Sequence, residues 1–177
     1  MTSKDLLNNI VEDTKVAVTA QFDRNFERKA FFDRKWKGTN YPNSKGSLLL
    51  RSGRLRKGIN KPRAGNAEIN WRSNLAYASL QNEGGEVKVT AKMKSFFWAM
   101  FYKANGGAKS GSKGRKQKLT AEAEKWKALA LQKVGAVMNV EQRQFIGWHP
   151  VVDQTINKVV DYNMEEYNKS IINKLKK

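Results

Sequence analysis

The sequence predicts an α+β fold: a small antiparallel sheet flanked by long N- and C-terminal helices, with a mobile basic loop between them. Three observations predict it. Leu6, Ile10, Thr14, Val18, Phe22 and Phe26 recur every four residues, with Leu7 and Val11 beside them. A second stripe runs through Val152, Ile156, Val159, Val160, Met164, Tyr167, Ile171 and Leu175. Between the two, short apolar runs are cut by glycine, proline and asparagine, a pattern of brief strands and turns rather than of long elements. The 177 residues fit a single domain, 1–177, with the flexible basic loop at 104–119.

Taken in order, Thr2 with Asp5 three residues later is an N-terminal capping signal, and the four-residue ladder then predicts a helix over 3–30. Phe31, Phe32 and Trp36 continue the aromatic character until Gly38, Asn40, Pro42, Asn43 and Gly46 impose a loop over 37–47. Leu48–Leu50 lead into a basic turn, Arg51 to Arg56. Gly58-Ile59 and Ala67 to Trp71 read as two antiparallel strands around Pro62–Asn66. A short helix over 74–83 ends at Gly84-Gly85, and Glu86 to Thr90 alternates as a strand. Met93 to Lys103 reads as a buried helical turn or two. Thr120 caps a helix reaching Lys133, with Glu122 and Glu124 in its first turn. A short strand is expected over 136–140, and Pro150 opens the long final helix.

Charge is the outlying bulk property. The chain carries 34 Lys and Arg against 16 Asp and Glu, a net +18. From Arg51 to Lys118 there are 16 basic and 3 acidic residues. Such a field draws polyanions or acidic protein surfaces towards it, or is a solvated basic face. With no cysteine, disulfides, thiolate zinc sites and cysteine nucleophiles are excluded. The longest apolar run, Phe96 to Tyr102, has seven residues against the ~20 a membrane helix needs, and the N-terminus lacks a signal-peptide pattern. A soluble chain is expected, without membrane contact.

Catalytic constellations are not evident. His149 is the one histidine and, beside Trp148 and Pro150, reads as a loop or cap residue. The neighbouring carboxylates, Glu122 with Glu124 and Glu165 with Glu166, fall on lysine-rich helices and read as solvated faces. Neither a P-loop, a G-x-S-x-G nor a G-x-G-x-x-G motif occurs, so no enzyme activity, cofactor or metal is expected. Phosphate contacts are open to Arg54, Arg56 and Lys57 of the basic turn. They are equally open to Lys109, Lys113, Arg115, Lys116 and Lys118 of the loop, because flexible cations need no fixed geometry. The alternative is that the loop is simply solvated. Phe96, Phe97, Trp98, Phe101 and Tyr102 read as core more than as a base-stacking platform.

Four ordered patches resemble the phage virion morphogenesis (tail completion) family. Leu49 to Arg56 is similar to its L-x-x-S/T-G-x-L-R/K segment, through Arg51, Ser52, Gly53 and Leu55, and follows the aromatic segment Phe31 to Trp36. Asn74 to Gly85 resembles its Y-A-x-x-H/Q-x-x-G-G signature, through Tyr77, Gln81, Gly84 and Gly85. Arg143, Phe145 and Gly147 stand in a stretch similar to its R-x-F-L/I-G box. The coverage runs over residues 20 to 175. The chain departs from the family at Gln81, where histidine is common, at Glu141-Gln142, where proline usually opens the box, and in its longer basic loop.

The resemblance implies a neck subunit made in a bacterial cytoplasm and built into the virion at the head–tail junction. It would form a homo-oligomeric ring, commonly a hexamer, between the portal-side head connector and the tail terminator or tail tube, with non-specific contact to phage DNA. The matched residues would serve turns and subunit interfaces; Tyr77 and Phe145 also read as core rings. The alternatives are a tail-terminator ring subunit of the same particle and a sequence-independent nucleic-acid-binding protein.

Overall fold

Thr2 caps the first helix, α1 (Ser3–Arg28), in both directions: its hydroxyl accepts from Asp5 N, and its own N–H donates to the Asp5 carboxylate at 2.6 Å. The computed structural model describes residues 2–39, 46–59, 62–65, 68–105 and 120–176. The architecture is α+β, with long helices at both ends. α1 is about 39 Å long at 1.5 Å per residue, and its ladder buries Thr14, Val18, Phe22 and Phe26. Lys29, in the left-handed conformation, ends it and turns the chain into the tight hairpin β1 (Ala30–Phe31) and β2 (Arg34–Lys35).

After the loop comes α2 (Arg54–Ile59), then the hairpin β3 (Arg63–Gly65) with β4 (Glu68–Asn70). The strand expected at Gly58-Ile59 is therefore helix. Lys57 N–H donates to Gly53 O at 2.9 Å, opening a helical turn, and Leu55 and Ile59 sit four apart on its buried face. α3 (Ala78–Glu83) ends at Gly84 and feeds β5 (Gly85–Lys88). α4 (Ala91–Ala104) and α5 (Ala121–Leu131) are capped by Thr90 and Thr120, whose hydroxyls accept from Met93 N and Ala123 N. β6 (Val137–Val140) returns antiparallel to β5, and α6 (Pro150–Leu175) closes the chain. Instead of one small sheet, the described strands form three separate antiparallel pairs.

α1 and α6 pack side by side in opposite directions. Ser3 meets Tyr167 at one end, Asp13 accepts from Asn163 Nδ2 at 2.9 Å midway, and Phe145 reaches Phe26 at the other end. The main core joins Val18, Phe22, Phe26, Phe31, Phe32, Trp36, Leu55, Ile59, Ala78, Phe145 and Val152. A smaller core gathers Phe97, Trp126 and Ala130 between α4 and α5.

Two expectations about burial need correction. The α6 stripe holds from Val152 through Val160, then Asn163 takes the buried position. Ile171, Ile172 and Leu175 beyond it are exposed, Leu175 by 81%. The Met93–Lys103 segment is a 14-residue helix and is not buried throughout: Phe97 is inside, whereas Phe96 and Tyr102 are 54% and 53% exposed. An aromatic run on a helix points all round the axis, and α5, against which α4 packs, covers one side.

Candidate functional site

The segment from Gln142 to Gly147 has no helix or strand of its own, so its backbone groups must find partners elsewhere. They find them on the other patches singled out in the sequence. Arg143 N–H donates to Gln81 O at 2.8 Å. Asn82 Oδ1 accepts from both Phe145 N and Ile146 N, at 2.9 and 3.1 Å. Trp36 Nε1 donates to Gln144 O at 2.6 Å. Buried Asn25 clamps two strands of chain at once, accepting from Phe32 N at 3.1 Å and donating to Phe145 O at 3.2 Å. The aromatic segment, the α3 signature and the late box thus meet at one node.

Close backbone approach explains Gly84, and backbone conformation explains Gly147. A Cβ on Gly84 (φ +74°) would lie 3.0 Å from Gln142 N, and one on Gly147 (φ +144°) would lie 2.4 Å from Gln144 Nε2. At Gly84 only glycine combines that conformation with that proximity; at Gly147 the side chain of Gln144 can move aside, and the positive φ alone favours glycine. Gly85 starts β5, and Gly53 immediately precedes α2.

Other expected site residues divide by burial. Phe145 is fully buried and Leu55 nearly so; both are core and neither can face another subunit. Tyr77, expected to be a buried ring, is 45% exposed because it precedes α3, and its successor Ala78 takes the inward position. Arg51 and Ser52 are exposed. Arg143 is half-buried, its guanidinium donating to the carbonyls of Lys37 and Gly38 at 3.2 and 3.4 Å.

Among the proposed anion contacts, Arg54 and Lys57 lie exposed on α2. Arg56 does not offer its charge outward. Its guanidinium grips Asp23 through two nitrogens and also reaches Glu27, hydrogen bonds that raise its pKa above the usual arginine range. Lys109, Lys113, Arg115, Lys116 and Lys118, with most of the predicted basic loop, lie outside the described residues.

A cleft of about 410 Å³ opens beside the node, lined by Leu48, Leu49, Leu55, Arg51, Tyr77, Gln81, Lys125 and Arg143 among others. A second hollow of about 560 Å³ runs along β6 and shares Thr39, Lys125 and Arg143 with it. Leu55, Tyr77, Gln81, Arg51, Ser52 and Arg143 therefore come together around one concavity, although the first and last of them are 92 positions apart in sequence.

His149 caps α6: its Nδ1 accepts from Val151 N, its ring stacks on Phe32 at 4.3 Å, and its Nε2 lies 3.1 Å from Asp33. The Asp33 carboxylate, held by its own backbone N–H and then by His149, titrates below the ordinary aspartate range. That pair is a cap and hairpin brace. Among the described residues no cluster of three or more His, Asp or Glu stands close enough to hold a metal ion, and no helix is long and apolar enough to cross a membrane.

Asn25 and Asn82, which organise the node, carried no motif in the sequence reading. Asn25 had a legible signal: it lies three and seven residues after Phe22 and Val18, on the apolar face. No family model, curated protein or solved structure matches the chain, and the residues with their geometry carry the functional argument.

Proposed function

We propose that the chain is a structural subunit of a tailed-bacteriophage neck, forming a homo-oligomeric ring that completes the tail and joins it to the head connector. The observation that carries the reading is the node. Segments resembling tail-completion motifs lie far apart in sequence, yet they hydrogen-bond to one another around Asn25 and Asn82.

Charge distribution supports a ring as well. α1 and α6 together hold nine acidic and seven basic residues, so the helical pair is near neutral while the rest of the chain carries the positive excess. Heterologous contacts close into a ring when the rotation between neighbours completes one turn, and the near-neutral helical pair is the face least repelled by the basic surface of another copy. In that ring the basic surface faces DNA backbone in the lumen or acidic surfaces of adjoining collar proteins.

Native mass spectrometry of the purified chain tests oligomerisation, with discrete closed species expected and a monomer at all concentrations counting against it. Removal of the reading frame from its phage is expected to leave filled heads and separate tails; infectious particles of normal yield would end the proposal.

One observation favours a second reading. α4 carries Lys92, Lys94 and Lys103 with no acidic residue, and exposes Phe96 and Tyr102 beside them, the composition of a single-strand-binding face. Oligonucleotide affinity that falls steeply with salt, without ring species, would support that reading instead.

A further inference from the structure

Two helices each carry an outward stripe with the same spacing. On α6 it is Met164, Asn168, Ile171 and Leu175, at i, i+4, i+7 and i+11, all exposed. This end of the helix pair stands clear of the main core: α6 buries no residue after Asn163, and α1 buries none before Thr14. On α4 the same spacing joins Ala91, Ser95, Trp98 and Tyr102, outside the face that Phe97 packs on Trp126 of α5. The Trp98 and Tyr102 rings stack at 6.1 Å, and Tyr102 is exposed.

The charges beside the two stripes are of opposite sign. Asp161 and Glu165, both exposed, lie three residues before Met164 and Asn168 and so form the adjoining row of α6. From Asp161 to Leu175 there are three acidic and two basic residues, and one of the two lysines, Lys169, is engaged by Glu166. α4 holds Lys92, Lys94 and Lys103 and no acid, with Lys92 and Lys94 on opposite flanks of its stripe. Two α4 faces brought together would oppose lysine to lysine, and two α6 stripes would oppose the Asp161–Glu165 rows. Only the unlike pairing matches apolar surface and charge at once.

We propose that the α6 stripe of one copy packs on the α4 face of the next. Met164, Ile171 and Leu175 cover Trp98 and Tyr102, while Asp161 and Glu165 meet the lysines of α4. Apolar burial supplies the attraction, and the charged rows fix which face meets which. Each copy then uses both of its faces, which makes the contact heterologous. The assignment rests on reading the chain as a ring subunit and names the two faces that meet.

The chain has no cysteine, so single introduced thiols report the contact alone. Ala99→Cys, between Ser95 and Tyr102 on α4, and Asn168→Cys, on the α6 stripe, are exposed positions near the middle of each face. The two full-length variants are mixed and treated with a short flexible bis-maleimide. A cross-linked heterodimer is expected from the mixture and only monomer from either variant alone. Asp33→Cys, on the hairpin braced to the opposite end of α6, should cross-link to neither.

Adding Lys92→Glu and Lys94→Glu to the Ala99→Cys chain should lower the heterodimer yield by about tenfold. Asp161→Lys with Glu165→Lys in the Asn168→Cys chain should do the same, and mixing the two reversed chains should restore the yield. Thermal unfolding curves like that of the parent establish that the variants are folded.

No heterodimer, an equal yield with Asp33→Cys, homodimers from either variant alone, or no restoration on double reversal would each overturn the assignment. So would salt-sensitive oligothymidylate binding lost on lysine reversal without any heterodimer, which would give α4 to a nucleic-acid strand. Rings that survive lysine reversal in native mass spectrometry overturn this inference alone. The specific heterodimer, together with normal infectious particles after removal of the reading frame, overturns the neck reading alone.

Discussion

Asn82 holds two consecutive backbone N–H groups, those of Phe145 and Ile146, with one carbonyl oxygen. Asn82→Leu strands both donors and should cost about 2–4 kcal/mol in urea denaturation. Asn82→Asp keeps the acceptor and should cost less. Thr14 presents the opposite case. Its hydroxyl is buried on the inner face of α1 with no partner among the described residues, so Thr14→Val should raise stability by about 1 kcal/mol.

The carboxylates of Asp5, Asp33 and Glu141 all titrate below their ordinary range. The first is held by Thr2 N–H, the second by its own backbone N–H and then His149, and the third by Lys37. Because the unfolded chain takes up these protons at higher pH than the folded one, the stability they add is complete above the ordinary carboxylate range. It is lost as pH falls through the lowered values. Denaturation midpoints should therefore stay level from neutrality to about pH 5 and decline below about pH 4. Asp33→Asn should make that decline shallower.

At the scale of elements, Gly84 is the position where a helix end, a strand start and the late box all meet. Its φ of +74° and the 3.0 Å approach of Gln142 N leave no room for a side chain, and Gly84→Ala should cost about 1–3 kcal/mol. Thr120→Ala removes the cap of α5 and should cost about 1 kcal/mol, read as a shift in the denaturation midpoint.

These caps and the four-residue ladders were plain in the sequence because they are local: Thr2, Thr120 and Pro150 each act within one turn of themselves. Gly58-Ile59 was misread as a strand for the complementary reason. Two alternating residues carry no period, and the helix there is fixed by Leu55 and Ile59 docking on the core that α1 provides. The exposed aromatics of α4 were misjudged because how many sides of a helix its neighbours cover is a tertiary fact.

For the whole molecule, the motif patches were legible as segments, but their meeting was not. Spacing along a chain says nothing about Asn25 reaching Phe145, and the groove lined by Gln81, Arg51 and Lys125 exists only once three distant stretches have folded together. Because every copy carries a net +18, association of the ring subunits should strengthen as salt is raised from 50 to 500 mM, measured by sedimentation velocity.

The Asn25–Phe145 clamp also sets a timetable for synthesis. Its two ends are 120 residues apart, and a ribosome adds about 5–20 residues each second. For about 6–24 s, then, a nascent chain has made Val18, Phe22 and Phe26 but not the aromatic ring and final helix that cover them. A prematurely terminated product lacking everything after Glu141 would keep that stripe only partly covered, by Phe32, Trp36 and Trp71, which makes it a ready client for chaperones and proteases.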